Sequence, residues 1–413
     1  MDFEKLLTYK YVPYLLIFAA ALSVYVLIYT YTPGFSPSAN NWHNNYSRQA
    51  YSWLQGRLDL PENRHYLEIA FFNDRFYISF PPFPSIVLLP FVIMYGYNTP
   101  DHAIALAFAF ISLFFAYKIA ESQLRNKKHA MFFSLFLILG TNYLHISLWG
   151  AVWYLAQNMA FAFTLMSFYF ALTGNERHSF ISLAAFCAAM GCRPFSAIYL
   201  PLLLYLLYRR GGQPWAPFVK KLLIWAMPAI ALGSFFMWLN YARFGNVFEF
   251  GHNFLPEHII DYRGQFHPRR IPQNIRMLFF DLGISHGALH GFPHYGRTSF
   301  AFWVASPIVI SYAVYLFVRC HAKPEGEKDI CLWLIPLLVF LHLFAFSFHR
   351  TLGARQFGSR YSVDTLPAVY LGLLFILGKL PAKNSVYMNI APMIFGKLIN
   401  FHGTIAFLTF YFG

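Results

Sequence analysis

Seven stretches of this chain run without a single Asp, Glu, Lys or Arg: 11–31, 102–117, 130–172, 222–242, 298–318, 330–349 and 365–378. An eighth, 384–413, carries only Lys397. About 20 apolar residues in a helix cross the hydrocarbon core of a bilayer, so runs of this kind specify membrane spans before any local propensity is considered. Composition points the same way: 58% of the 413 residues are hydrophobic, 21% aromatic and only 12% charged. That leaves too little polar surface to cover a water-soluble body of this size. The expected fold class is an all-α polytopic membrane protein of about 10 transmembrane helices in one domain, 1–413, with the bilayer as its first partner.

The formal charge of +14 does not imply nucleic acid, because no zinc-finger, RNA-binding or helix-turn-helix pattern accompanies it. Basic loops beside membrane spans account for it. Lys residues fall in short connections, Lys118, Lys127, Lys128, Lys220, Lys221 and Lys379 among them, which places those loops in the cytoplasm. The segments 33–102, 243–298 and 350–360 carry Arg but no Lys and are expected on the opposite, extracytoplasmic face, as loops of a protein in a bacterial inner membrane. Tyr11 to Tyr31 lacks a small-residue cleavage site and reads as a retained first helix.

The 130–172 run is too long for one helix and is expected to break between Asn142 and Trp153, where Asn, His, Gly and Trp cluster. Segment 83–97 carries Pro84 and Pro90, is short for a span, and reads as an interfacial helix of the first external loop. Between Asn45 and Leu58, apolar residues at Tyr46, Ala50, Trp53, Leu54 and Leu58 give the spacing of an amphipathic helix lying along the interface.

Four features could carry chemistry. The acids Asp59, Glu62, Glu68 and Asp74 stand among Arg48, Arg57, Arg64 and Arg75, either as a solvated salt-bridge face or as part of a site. Arg193 is the only charged residue between Arg177 and Arg209, so it is either a snorkelling side chain at a helix end or a contact for an anion. Arg355, Arg360 and Tyr361 sit just before an apolar span, as an interfacial anchor belt or a phosphate clamp. His252, His258, His267, His286, His290 and His294 lie in a Gly- and Pro-rich loop without HExxH, so hydrogen bonding is favoured over metal. No metal site and no cofactor are assigned, and a divalent cation is left open. The four cysteines show no CxxC or Cys/His spacing.

Three segments in order, AYSWLQGRLDLPE with FFNDRFYISFPPFPSIVLLPF, AAMGCRPFSAIYLPLLLYLL and FGSRYSVDTLPAVYLGLL, resemble the GT-C superfamily of membrane glycosyltransferases. The resemblance is to the group that includes protein O-mannosyltransferases and lipid A aminoarabinose transferases. It implies interfacial helices in the first external loop, an extracytoplasmic active site and a polyprenyl-phosphate-linked sugar donor, with the acceptor glycan, lipid or protein unspecified. Arg57, Asn73, Tyr77 and Pro81 to Pro84 stand where that superfamily has a Gly-Arg-Leu turn, an aromatic hairpin and a Pro-rich lead-in to a helix. Those enzymes place an acid soon after the first span and another in the next external turn. Here NNWHNNYSRQ and YLHISLWGAVWY contain none. The resemblance therefore leaves His43 or Glu68 as acceptor-activating base, with Arg57, Tyr77, Arg193, Arg355, Arg360 and Tyr361 as substrate contacts. The alternative function is a transporter or flippase for a lipid-linked sugar; long loops on one face and the absence of an internal repeat favour chemistry.

Overall fold

The structure is a computed structural model that describes residues 7, 9–39, 41–64, 67–124, 126–212, 214–260, 263–282, 301–321, 329–353, 356–380 and 386–412. The chain begins with α1 (Val12–Tyr31) and then α2 (Asn45–Leu54). The hairpin of β1 (Ile69–Phe72) and β2 (Arg75–Ile78) follows, then α3 (Phe83–Tyr95), α4 (Asp101–Leu124), α5 (Lys127–Leu139) and α6 (Tyr143–Ile146). Next come α7 (Val152–Leu172), α8 (Glu176–Cys192), α9 (Leu200–Gly211), α10 (Trp215–Trp225) and α11 (Met227–Phe244). The remaining helices are α12 (Pro256–Ile260), α13 (Ile271–Phe279), α14 (Phe302–Ala305), α15 (Ile308–His321), α16 (Cys331–Ser347), α17 (Leu366–Leu377) and α18 (Tyr387–Phe412).

Among the described residues five helical segments are long and apolar enough to cross a membrane, or six if the bent pair α10–α11 counts as one span. That pair bends by 52° at Ala226, just before Pro228. Prolines explain such breaks, because the ring removes a helical donor and crowds the preceding turn. The 130–172 run is broken as its sequence requires, α5 ending at Leu139 and α7 starting at Val152. With 13 residues α3 extends only about 20 Å, short of the hydrocarbon thickness.

Every residue of α17 is buried, so a helix apolar on all sides becomes the centre of the bundle, against α15, α16 and α4. The residues left at the surface are apolar as well. Leu15, Leu22 and Val26 on α1, and Trp333, Leu337 and Phe340 on α16, stand outward as lipid-facing side chains do. The chain is a helical membrane protein.

The expected amphipathic helix is present but its inward face differs. α2 ends at Leu54, which is 46% exposed, and it buries Asn45, Ser47, Gln49 and Ser52 beside Tyr46 and Ala50. Hydrogen bonds dock it. Ser47 donates to Asp101 Oδ1 at 2.7 Å, and Ser85 donates to Gln49 Oε1 at 2.7 Å. Asn41 Nδ2 reaches the other oxygen of Asp101 at 2.8 Å and the Gly150 carbonyl at 2.8 Å, tying the segment after α1 to the start of α4. The hairpin turns on Asn73 and Asp74, both with positive φ (48° and 58°), the geometry of a two-residue turn that Asn and Asp tolerate.

Candidate active site

Four elements distant in sequence meet at one cavity of about 1040 Å³. Its inner wall comes from α2 (Tyr46), the N-terminal end of α7 (Trp153, Ala156), the end of α8 (Cys192, Arg193) and the 3-10 turn Arg360–Thr365 (Arg360, Tyr361). Glu68, just before β1, faces it from the segment between α2 and β1. The roof comes from the segment after α11, with Phe248, His252, His258 and Gln265, and from His349 and Arg350 after α16. Backbone pairing closes that roof: His267 N–H donates to the Phe348 carbonyl and Arg350 N–H to the Gln265 carbonyl, both at 2.9 Å. Asn274 on α13 donates to the carbonyls of Ser347 (2.9 Å) and His349 (2.8 Å).

The two arginines of the inner wall differ in their electrostatics. Arg193 sits where Pro194 ends α8, and its Nε and Nη2 donate to Asp364 Oδ2 at 3.1 and 2.8 Å. The Asp364 side chain is 6% exposed, so this is a buried, charge-balanced pair. Gln157 on α7 completes it, its Nε2 donating to Asp364 Oδ1 at 2.6 Å and to the Arg360 carbonyl at 2.7 Å. Arg360 is 3% exposed, and its Nε and Nη1 have no hydrogen-bond partner. Its guanidinium lies 5.4 Å from the Tyr154 ring centre and 5.1 Å from that of Tyr361, which Arg193 also approaches at 5.0 Å. Cation–π contact offsets part of the desolvation of Arg360, and two donors are left over.

The loop bearing Arg360 is shaped by two glycines. At Gly353 (φ +103°) a Cβ would stand 2.4 Å from Gln356 Oε1, the acceptor for the Arg360 N–H, and 3.1 Å from Arg360 Nε. At Gly358 (φ +71°) it would strike the Asn142 amide. Only glycine accepts both the backbone angle and the closeness.

No protein-family model matches the chain, and no curated protein is similar to it in sequence. Solved structures are similar in shape. ArnT from Cupriavidus metallidurans bound to undecaprenyl phosphate aligns with a TM-score of 0.52 at 13% identity, over 96% of this chain and 76% of that one. Its apo state gives 0.54 at 13% identity with the same coverage. The apo oligosaccharyltransferase of Archaeoglobus fulgidus gives 0.50 at 12% identity, over 97% of this chain and 56% of that one. The fold is the GT-C fold.

Within this GT-C fold, four of the residues expected from the sequence meet at the cavity: Glu68, Arg193, Arg360 and Tyr361. Trp153 Nε1 donates to Glu68 Oε2 at 2.9 Å and fixes one oxygen of that carboxylate. His43 does not line the cavity; its ring lies behind Trp153, 5.1 Å away, and 5.9 Å from Trp149. Arg57 pairs with Asp59 at 2.7 Å on the surface. Tyr77 is packed on Phe244 at 5.2 Å. Neither reaches the cavity, because β2 turns Tyr77 toward α11 and the Gly56 turn carries Arg57 into solvent. Arg355 and His286, His290 and His294 lie outside the described residues.

Asp364 and Gln157 were missed by the sequence reading. Asp364 borders the 365–378 run, and an acid at the mouth of a span was a signal that could have paired it with Arg193. Gln157 gave none, being one amide inside a long apolar run.

His252 and His349 are neutral near pH 7. Burial pushes His252 down to about 4, opposed by its bond to the Ser79 carbonyl. Burial likewise lowers His349 to about 3, opposed by its bond to Thr351. Among the described residues no three His, Cys, Asp or Glu side chains gather as a metal site would require.

Proposed function

We propose that the protein transfers a sugar from a polyprenyl-phosphate-linked donor to an acceptor on the extracytoplasmic side of the membrane. The observation that carries this reading is Arg360, a buried guanidinium lining a large cavity with two nitrogens unpartnered. A cation left in that state is matched by an anionic ligand with several oxygen acceptors. The undecaprenyl phosphate named with the similar ArnT structure is a ligand of that chemistry.

Glu68 is better placed than His43 to activate the acceptor. Its carboxylate takes the proton of an acceptor hydroxyl as that oxygen attacks the anomeric carbon of the donor sugar. The bond from that carbon to the phosphate oxygen breaks, and the carrier leaves as a phosphate monoester with one more negative charge than the donor had. Arg360 meets that developing charge, and electrostatic stabilisation of a leaving group is the largest effect such a site offers. Arg193, neutralised by Asp364, aligns the phosphate or the sugar without adding net charge. Arg355 belongs to the same loop and is proposed as a further contact.

The test is transfer of radiolabelled sugar from polyprenyl phosphate carriers by the protein in vesicles. Transfer by the wild type and a loss of about a hundredfold or more in Glu68→Gln is expected from removal of a general base. Translocation of the labelled lipid without transfer would establish the transporter reading instead.

A further inference from the structure

The cavity holds a second donor without a partner. Tyr46, in the first turn of α2, is 1% exposed, lines the inner wall, and has a hydroxyl with no hydrogen-bond partner. Its ring belongs to an apolar cluster with Ala50, Leu67, Phe80, Met159 and Cys192. Phenylalanine would fill that place without burying a polar atom, so folding alone gives no reason for the oxygen.

We propose that Tyr46 is a ligand-contacting residue whose hydroxyl donates to an oxygen of the phosphate headgroup held in the cavity, an inference that rests on the lipid-phosphate reading above. The phenol is near enough to Cys192 and Arg193 to feel both; burial first, then Cys192, raises its pKa and Arg193 opposes the rise, so it stays a neutral donor. Arg193 and Tyr46 then approach the ligand from α8 and α2, and Arg360 from the turn before α17. The headgroup would bridge three elements brought together from distant parts of the chain.

The 413-residue chain in lipid nanodiscs is titrated with undecaprenyl phosphate and, separately, with inorganic phosphate, following tryptophan fluorescence because Trp153 lines the cavity. Tyr46→Phe is expected to raise the Kd for undecaprenyl phosphate about tenfold, the loss of one hydrogen bond to a charged group. Its ligand-free Tm is expected to equal or exceed that of the wild type. An unchanged Kd in Tyr46→Phe, with the wild type saturating, overturns the Tyr46 contact and leaves the lipid-phosphate reading standing. A lower ligand-free Tm overturns it too, because the hydroxyl would then serve the fold. Saturation by inorganic phosphate alone removes the lipid-linked reading, and the Kd of Tyr46→Phe for that ion then decides the contact. Saturation by neither ligand removes both.

Discussion

Arginine behaves differently in two regions of this molecule. Between α2 and β1, Arg57 and Arg64 lie partly in water beside Asp59 and Glu62, each pair two residues apart in sequence. At the inner wall of the cavity Arg193 finds its carboxylate 171 residues away, and Arg360 has two nitrogens with none at all. Local pairs of the first kind are screened by solvent and contribute little. In the interior desolvation is large, so a cation must be matched by a partner, a ring face or a ligand. The difference is a matter of dielectric surroundings, and it separates a solvated surface from a buried cavity wall lined by the same residue type.

The sharpest way to break this comparison is Arg360→Ala. Removing a single electrostatic stabiliser is expected to lower kcat/KM for sugar transfer by about a hundred- to a thousandfold. Its melting temperature should not fall, since a buried unpartnered charge disappears. A melting temperature that drops while transfer persists would turn Arg360 into a structural residue.

Asp364→Asn probes the balanced partner. It leaves Arg193 buried without a counter-charge and is expected to cost about 3 kcal/mol in denaturant unfolding. The double variant Arg193→Met with Asp364→Leu should regain most of that loss, because replacing a buried pair is far less costly than breaking one. If both variants lose the same stability, the pair is not the source of the effect.

A smaller effect is expected from pH. His252 and His349 have folded-state pKa values of about 4 and about 3, below the ordinary value of about 6.5 in the unfolded chain. Below about 6.5 the unfolded state binds protons that the folded state does not, so the contribution of these two groups is complete above that pH and declines as pH falls toward 4. Melting temperatures measured from pH 7.5 down to 4.5 should show the decline, and His349→Gln should flatten it. The smallest effect belongs to Arg57→Ala, for which wild-type melting and wild-type transfer are expected. A large loss of transfer there would erase the distinction between the two regions.

Much of the architecture was legible before the tertiary structure. The break between Asn142 and Trp153 and the short α3 with its prolines follow from span length and ring sterics, which act over a few residues, while the hairpin around Asn73 was expected from the family resemblance. The inward face of α2 was not legible. Spacing of apolar residues pointed to Trp53 and Leu54, whereas docking is by Ser47 to Asp101 and Gln49 to Ser85. Hydrogen bonds between residues 36 and 54 positions apart leave no periodic trace. The candidate site divided along the same line: Glu68, Arg193, Arg360 and Tyr361 line the cavity, while Arg57 and Tyr77, of the same residue types, face elsewhere.

What the sequence determined by itself is the solvent. Uncharged runs cannot be hydrated at acceptable cost, so lipid and helices follow from composition and length alone. Which arginine is neutralised and which keeps unpartnered nitrogens was decided only when α7, α8 and the turn before α17 came together. Ionic and hydrogen-bond partners interact through space, and their separation along the chain carries no record of it.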